Sequence, residues 1–177
     1  MNLAEKIEQA FAGRQKPLNL VEAANLVYPD CDVEDGLWFT GRDRYEITWQ
    51  NWQEHSSAIN FFVPDAFAYY LPSVLLLSSQ NPADALMAAD LLISELDQSP
   101  DPEWWTDGLL RRFLGLNPAE LNVLKEWLLQ VCEYVAYKGL GFAGSGPGDT
   151  FGRAFDTVDL LLREVERRRL TDGQGPS

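Results

Sequence analysis

The sequence predicts an all-α fold, a single-domain bundle of six or seven helices around a buried central helix. Three observations lead there. Apolar residues recur at the three-and-four spacing of amphipathic helices along most of the chain. Two Asn-Pro steps, Asn81-Pro82 and Asn117-Pro118, read as helix starts, a capping side chain followed by proline at the first helical position. The segment after Pro64 is apolar almost all round, which marks a helix enclosed by others. A length of 177 residues suits one domain, assigned to residues 1–170, with 171–177 read as a disordered tail. The 46% apolar content and six tryptophans supply a core.

Taken in order, Leu3, Ile7, Ala10 and Phe11 give the first helix its apolar face. Asn19 can cap a short second helix running to about Val27. Tyr28 to Gly41 reads as a loop, because Pro29 and Gly36 break it and Asp30, Asp32, Glu34 and Asp35 crowd it with charge. Arg44 to Trp49 alternates weakly, so one short strand or hairpin near 37–49 is one reading. The other has Thr48 capping a helix that carries Trp49 and Trp52. Pro64 opens the central helix, in which Pro72 removes a backbone donor and should kink it. The helix after Pro82 presents Leu86, Ala89, Ile93 and Leu96. The helix after Pro118 has Glu120 placed for a capping box. It carries Leu121, Leu124, Leu128, Val131 and Val135 on one face and Val123, Trp127 and Tyr134 on another. Phe151, Phe155, Val158, Leu162 and Val165 line the last helix, which ends in three arginines that suit its negative pole.

The charge excludes several classes of function. The net charge is −13, which argues against nucleic acid and against anionic lipid, since both need a basic surface. Acids and apolar residues at helical spacing begin the chain, without the basic start and apolar run of a signal peptide. The longest apolar stretch, Ala66 to Leu77, is too short to span a bilayer. A cytoplasmic protein with reduced thiols is the expectation, Cys31 and Cys132 having neither disulfide nor metal-site spacing. The excess is also regional. Residues 17–110 hold two bases, Arg42 and Arg44, against sixteen acids, whereas residues 111–177 hold nine of each. From Tyr45 to Leu110 there is no Lys or Arg at all. Either C-terminal bases fold back onto these acids, or the region projects a field that attracts a basic partner.

Chemistry-bearing motifs are sparse. His55 is the one histidine and has no nucleophile motif beside it. A zinc site would have to lean on carboxylates, so no metal and no cofactor is expected. Gly139, Gly141 and Gly144 satisfy the dinucleotide text pattern, but a long helix precedes them where that fingerprint follows a strand. The loop offers at most anion binding at the start of the last helix, with Lys138 and Arg153. Asp156 and Asp159, three apart on that helix, are the nearest thing to a catalytic carboxylate pair. Trp104 and Trp105 are adjacent among Pro, Gly and acids, and cannot both face one core from a helix.

The run Pro64-Asp65-Ala66-Phe67-Ala68-Tyr69-Tyr70-Leu71-Pro72 resembles the hallmark of a family of small uncharacterised bacterial proteins, Ala-Phe-x-Tyr-Tyr-Leu-Pro. The segment Phe113 to Leu128 is similar to a second block of that family, and the resemblance covers about residues 17–135. It implies no activity and no catalytic residues. Small, acidic, all-α bacterial chains of this kind are also similar to immunity proteins, which neutralise a cognate toxin by binding it. On that reading the partner is basic, and no enzymatic activity is expected. The interface is expected at Asp30, Asp32, Glu34 and Asp35, and at Asp97, Asp101, Glu103, Trp104 and Trp105. The alternatives are a small-ligand protein or enzyme with a pocket near the Gly139–Gly148 loop, or a housekeeping interaction scaffold.

Overall fold

The computed structural model describes residues 1–26, 31–84, 86–98, 100–138 and 147–172, with 23, 24, 31, 136–138, 147–149 and 172 described by backbone alone. It is all-α. The helices are α1 (Leu3–Phe11), α2 (Cys31–Trp38), α3 (Trp49–Glu54), α4 (Ala58–Phe61), α5 (Pro64–Gln80), α6 (Met87–Leu96), α7 (Asp107–Leu114), α8 (Pro118–Lys138) and α9 (Pro147–Asp172). Two 3-10 turns, Ala23–Leu26 and Pro102–Trp104, complete the order. The nine helices among the described residues exceed the expected six or seven because short helices occupy stretches read as loop or strand.

The central helix is α5, packed against α1, α6, α7 and α8. Every residue from Ala66 to Leu75 is buried. Its buried serines and tyrosines are engaged. Trp52 Nε1 of α3 donates to Ser73 Oγ at 3.0 Å, and Trp127 Nε1 of α8 donates to Ser78 Oγ at 2.9 Å. Both hydroxyls pass their own protons back to α5 carbonyls, Tyr70 O and Val74 O. Tyr70 Oη reaches the Arg42 carbonyl at 2.8 Å, and burial pushes its phenol well above the usual range. Pro72 lies inside α5 and leaves the Ala68 carbonyl without a helical donor. Phe39, Trp52, Phe62 and Tyr70 form an aromatic cluster beside it, with ring centroids 4.7–6.3 Å apart.

Around α5, α9 packs on α6, α7 and α8, while α2, α3, α4 and α6 form a second group of contacts. Capping fixes several starts. Asn2 and Glu5 make a reciprocal box on α1, as do Thr48 and Asn51 on α3. Asn117 accepts from the Ala119 and Glu120 amides, and Glu120 returns the bond to the Asn117 amide at 2.7 Å. The same carboxylate, almost fully buried, is gripped by Arg14 through Nε at 2.6 Å and Nη2 at 2.5 Å. This pair ties the exit of α1 to the entry of α8.

Several expectations are corrected. Residues 31–38 are helix α2 rather than loop, because Asp32 and Glu34 fall in its first turn, where the helix dipole favours acids. Gly36 does not break it. A Cβ there would meet Val21 Cγ1 at 2.7 Å, so glycine permits the close approach of α2 to the preceding segment. That segment is not the helix Asn19 was expected to cap. Val21 bridges Phe62, the Val63 amide donates to the Leu20 carbonyl at 2.8 Å, and a 3-10 turn follows. No strand forms near 37–49 among the described residues. α2 ends in a turn through Gly41 (φ +76°), and Thr48 caps α3. Pro82 starts a turn rather than α6, which begins at Met87 without a side-chain cap. α9 runs through Thr171 and Asp172, so the expected tail loses its first two residues to the helix. Residues 173–177 lie outside the described residues, as do 139–146 of the glycine loop, while Pro147 and Gly148 open α9.

Candidate functional site

The expected interface residues fall into two groups, one on α2 and one around the second 3-10 turn. Asp30 lies outside the described residues. Glu34 is exposed and Asp32 half-buried, and neither forms an ion pair among the described residues. Asp35 is placed differently. Its Oδ1 meets His55 Nδ1 at 2.9 Å and its Oδ2 accepts from Ser57 Oγ at 2.7 Å. Trp38, one turn further along α2, stacks on the His55 ring at 4.4 Å between centroids, and the Arg42 guanidinium lies over the Trp38 ring at 3.8 Å. Asp35 is therefore bonded to the segment joining α3 and α4, and its two oxygens are committed within the fold.

The second group begins with Asp97 at the end of α6. Its carboxylate is held by Arg153 of α9 through two bonds, one of them from Nη2 at 3.0 Å. Two residues before Asp97, Glu95 is held by Arg112 of α7, and Glu22 meets Arg111 at 3.3 Å. Bases from beyond residue 110 thus fold back onto some of the acids of the middle segment. They do not reach all of them. Glu46, Glu54, Asp84 and Glu103 are exposed and form no ion pair among the described residues.

Between α6 and α7 the chain runs over the surface. Asp101 Oδ1 accepts from the Glu103 amide at 3.0 Å and starts the 3-10 turn. The adjacent tryptophans then part. Trp105 is buried at 7% exposure, and Trp104 is 78% exposed with Asp101, Pro102 and Glu103 beside it, all exposed. The buried indole anchors the segment from which the exposed one projects.

The chemistry weighed for catalysis finds little. The Asp35 contact orients the His55 imidazole, an arrangement with no signal in sequence because the two lie 20 residues apart. Ser57 bonds to the carboxylate rather than to the ring, so the three do not form a nucleophilic relay. Asp159 is paired with Lys125 at 2.5 Å while Asp156 is exposed. Among the described residues no group of three His, Cys, Asp or Glu side chains is placed to hold a metal, and no helix is long and apolar enough to cross a membrane. Arg153 is engaged with Asp97, and the Lys138 side chain lies outside the described residues. No family model, curated protein or solved structure matches the chain.

Proposed function

We propose that the chain is a cytoplasmic binding and inhibitory protein, an immunity protein that neutralises a basic bacterial toxin by direct contact. It acts by occupying its partner rather than by catalysis. The observation that supports this most is Trp104, an exposed indole rimmed by Asp101 and Glu103 and held on a segment anchored by Trp105. An exposed aromatic of this kind loses water on docking and contributes strongly to binding. The surrounding carboxylates steer a basic surface towards it and mimic phosphates that such a surface binds. Asp32 and Glu34 of α2 extend the acidic field. Asp35 and Asp97, already bonded within the fold, contribute position rather than contact.

The test is capture from the source cells on immobilised protein, followed by kinetics with the captured partner. Trp104→Ala is expected to weaken the complex by about 2 kcal/mol, roughly thirtyfold. Reversing Asp32 and Glu34 to lysine is expected to slow association about tenfold and to flatten its dependence on salt. Absence of any protein partner at physiological salt, or kinetics indifferent to all three substitutions, overturns the reading.

A further inference from the structure

A chain of net charge −13 repels anions from most of its surface. One cleft, of about 200 Å³, is built otherwise. Arg111 and Arg112 of α7 line it with Gly108 one turn before them, together with Asn25 of the first 3-10 turn, Asn60 of α4, and Glu22. We propose that this cleft binds a compact oxyanion, a phosphate monoester or a carboxylate, held by the Arg111 guanidinium and the side-chain amides of Asn25 and Asn60.

Arg111 is 62% exposed, and its one ion pair among the described residues is with Glu22, itself 48% exposed, at 3.3 Å. Such an open pair contributes little and yields readily to a better acceptor. Asn25 and Asn60 are half-buried, and their side-chain amides make no hydrogen bond among the described residues. Partly buried amides are ordinarily satisfied, and each of these offers two donors to a ligand. Arg112 forms the fixed wall behind them. Its Nη1 donates to the Asn60 carbonyl at 2.5 Å, its Nη2 to Glu95, and its Nε is buried without a partner. Burial lowers its pKa to about 10, so it keeps its charge at neutral pH. Gly108 borders this guanidinium, since a Cβ added there would lie in ordinary contact, 3.7 Å from Arg112 Nη1. A planar guanidinium flanked by amide donors matches the two oxygens of a carboxylate or phosphate. The cleft is separate from Trp104 and from the acids of α2, so it stands or falls independently of the proposed toxin partner.

The test is titration of the labelled protein by two-dimensional NMR with inorganic phosphate and, separately, with N-acetylglycine, at constant ionic strength in sodium chloride. The proposal expects saturable shifts of the Gly108 amide and of the Asn25 and Asn60 side-chain NH₂ groups. Arg111→Ala is expected to weaken the response about tenfold. Glu22→Gln removes the competing carboxylate and is expected to strengthen it. Both substitutions are at exposed positions, and an unchanged melting temperature shows that the fold is retained. Saturation by phosphate alone assigns a phosphate ligand, and saturation by N-acetylglycine alone assigns a carboxylate such as a peptide C-terminus. Failure of both probes to saturate, or shifts that neither variant alters, overturns the proposal.

Discussion

α2 and the 3-10 turn at Pro102–Trp104 both set acids beside tryptophan, yet they present opposite surfaces. On α2 the helical repeat puts Asp35 and Trp38 on one side, three residues apart. That side faces the fold, where the acid binds His55 and Ser57 and the indole stacks on the imidazole. The 3-10 turn is too short to build a face. Its neighbours diverge, Trp105 inward and Trp104 outward, and the acids beside Trp104 stay at the surface. The comparison teaches that acid count alone does not make an interface. What matters is whether the local geometry turns the acids back onto internal donors.

Substitutions in the two regions can break this contrast. The largest effect is expected from Trp105→Ala, which removes a buried indole and should cost about 3 kcal/mol in urea unfolding. Next comes Asp35→Ala. It leaves the His55 and Ser57 donors half-buried without their acceptor, at a cost of about 1–3 kcal/mol by the same measurement. Asp97→Ala breaks a pair whose arginine is nearly half exposed and should cost less than about 1 kcal/mol. Equal losses at Asp35 and Asp97 would remove the distinction drawn between the two groups. Trp104→Ala should change stability least, within about 0.5 kcal/mol. A large loss there would show that this indole serves the fold.

Asp90 of α6 sharpens the contrast by pH. Burial raises its carboxyl pKa, with no opposing cause. The folded state therefore binds the proton more tightly than the unfolded chain, and stability falls as pH rises through the interval between the two values. Asp90→Asn is expected to match the parent at low pH and to be more stable above that interval, as read from melting temperatures across pH. Glu164 of α9 has the opposite sign. Arg167 and Arg168 hold its pKa down at about 2, so its contribution, small because both arginines are exposed, is present above the ordinary carboxylate range and fades as pH falls towards 2.

The parts of the fold legible in sequence were those dictated by local chemistry. The enclosed helix α5 follows from composition alone, and the start of α8 from Asn117 with Glu120, whereas Thr48 offered the start of α3 as one of two readings, the other a short strand. α2 was illegible because Gly36 and four acids read as breakers, whereas the glycine answers to Val21 from another segment. Asn81-Pro82 misled for a related reason. The same residues suit a turn, and burial of Leu86, Ala89 and Ile93 sets where α6 begins. At the candidate site, the regional excess of acid was countable in the sequence. Which acids are internally bonded was not, since Asp35 finds its partner 20 residues away and Asp97 finds its own 56 away. The parting of Trp104 from Trp105 was foreseeable only as a choice, with no sequence signal for which indole turns inward.

The placement of the indoles gives the protein an optical readout of its own. Trp52 and Trp127 sit in the dry interior, each donating to a serine of the same helix, while Trp104 stands in water. Their fluorescence is thereby divided by environment. Melting the core moves the blue emission of the interior pair to longer wavelength. Covering Trp104 with a partner moves its red emission the other way, or quenches it, while the interior signal stays put. One spectrum can thus separate docking from unfolding without an attached dye.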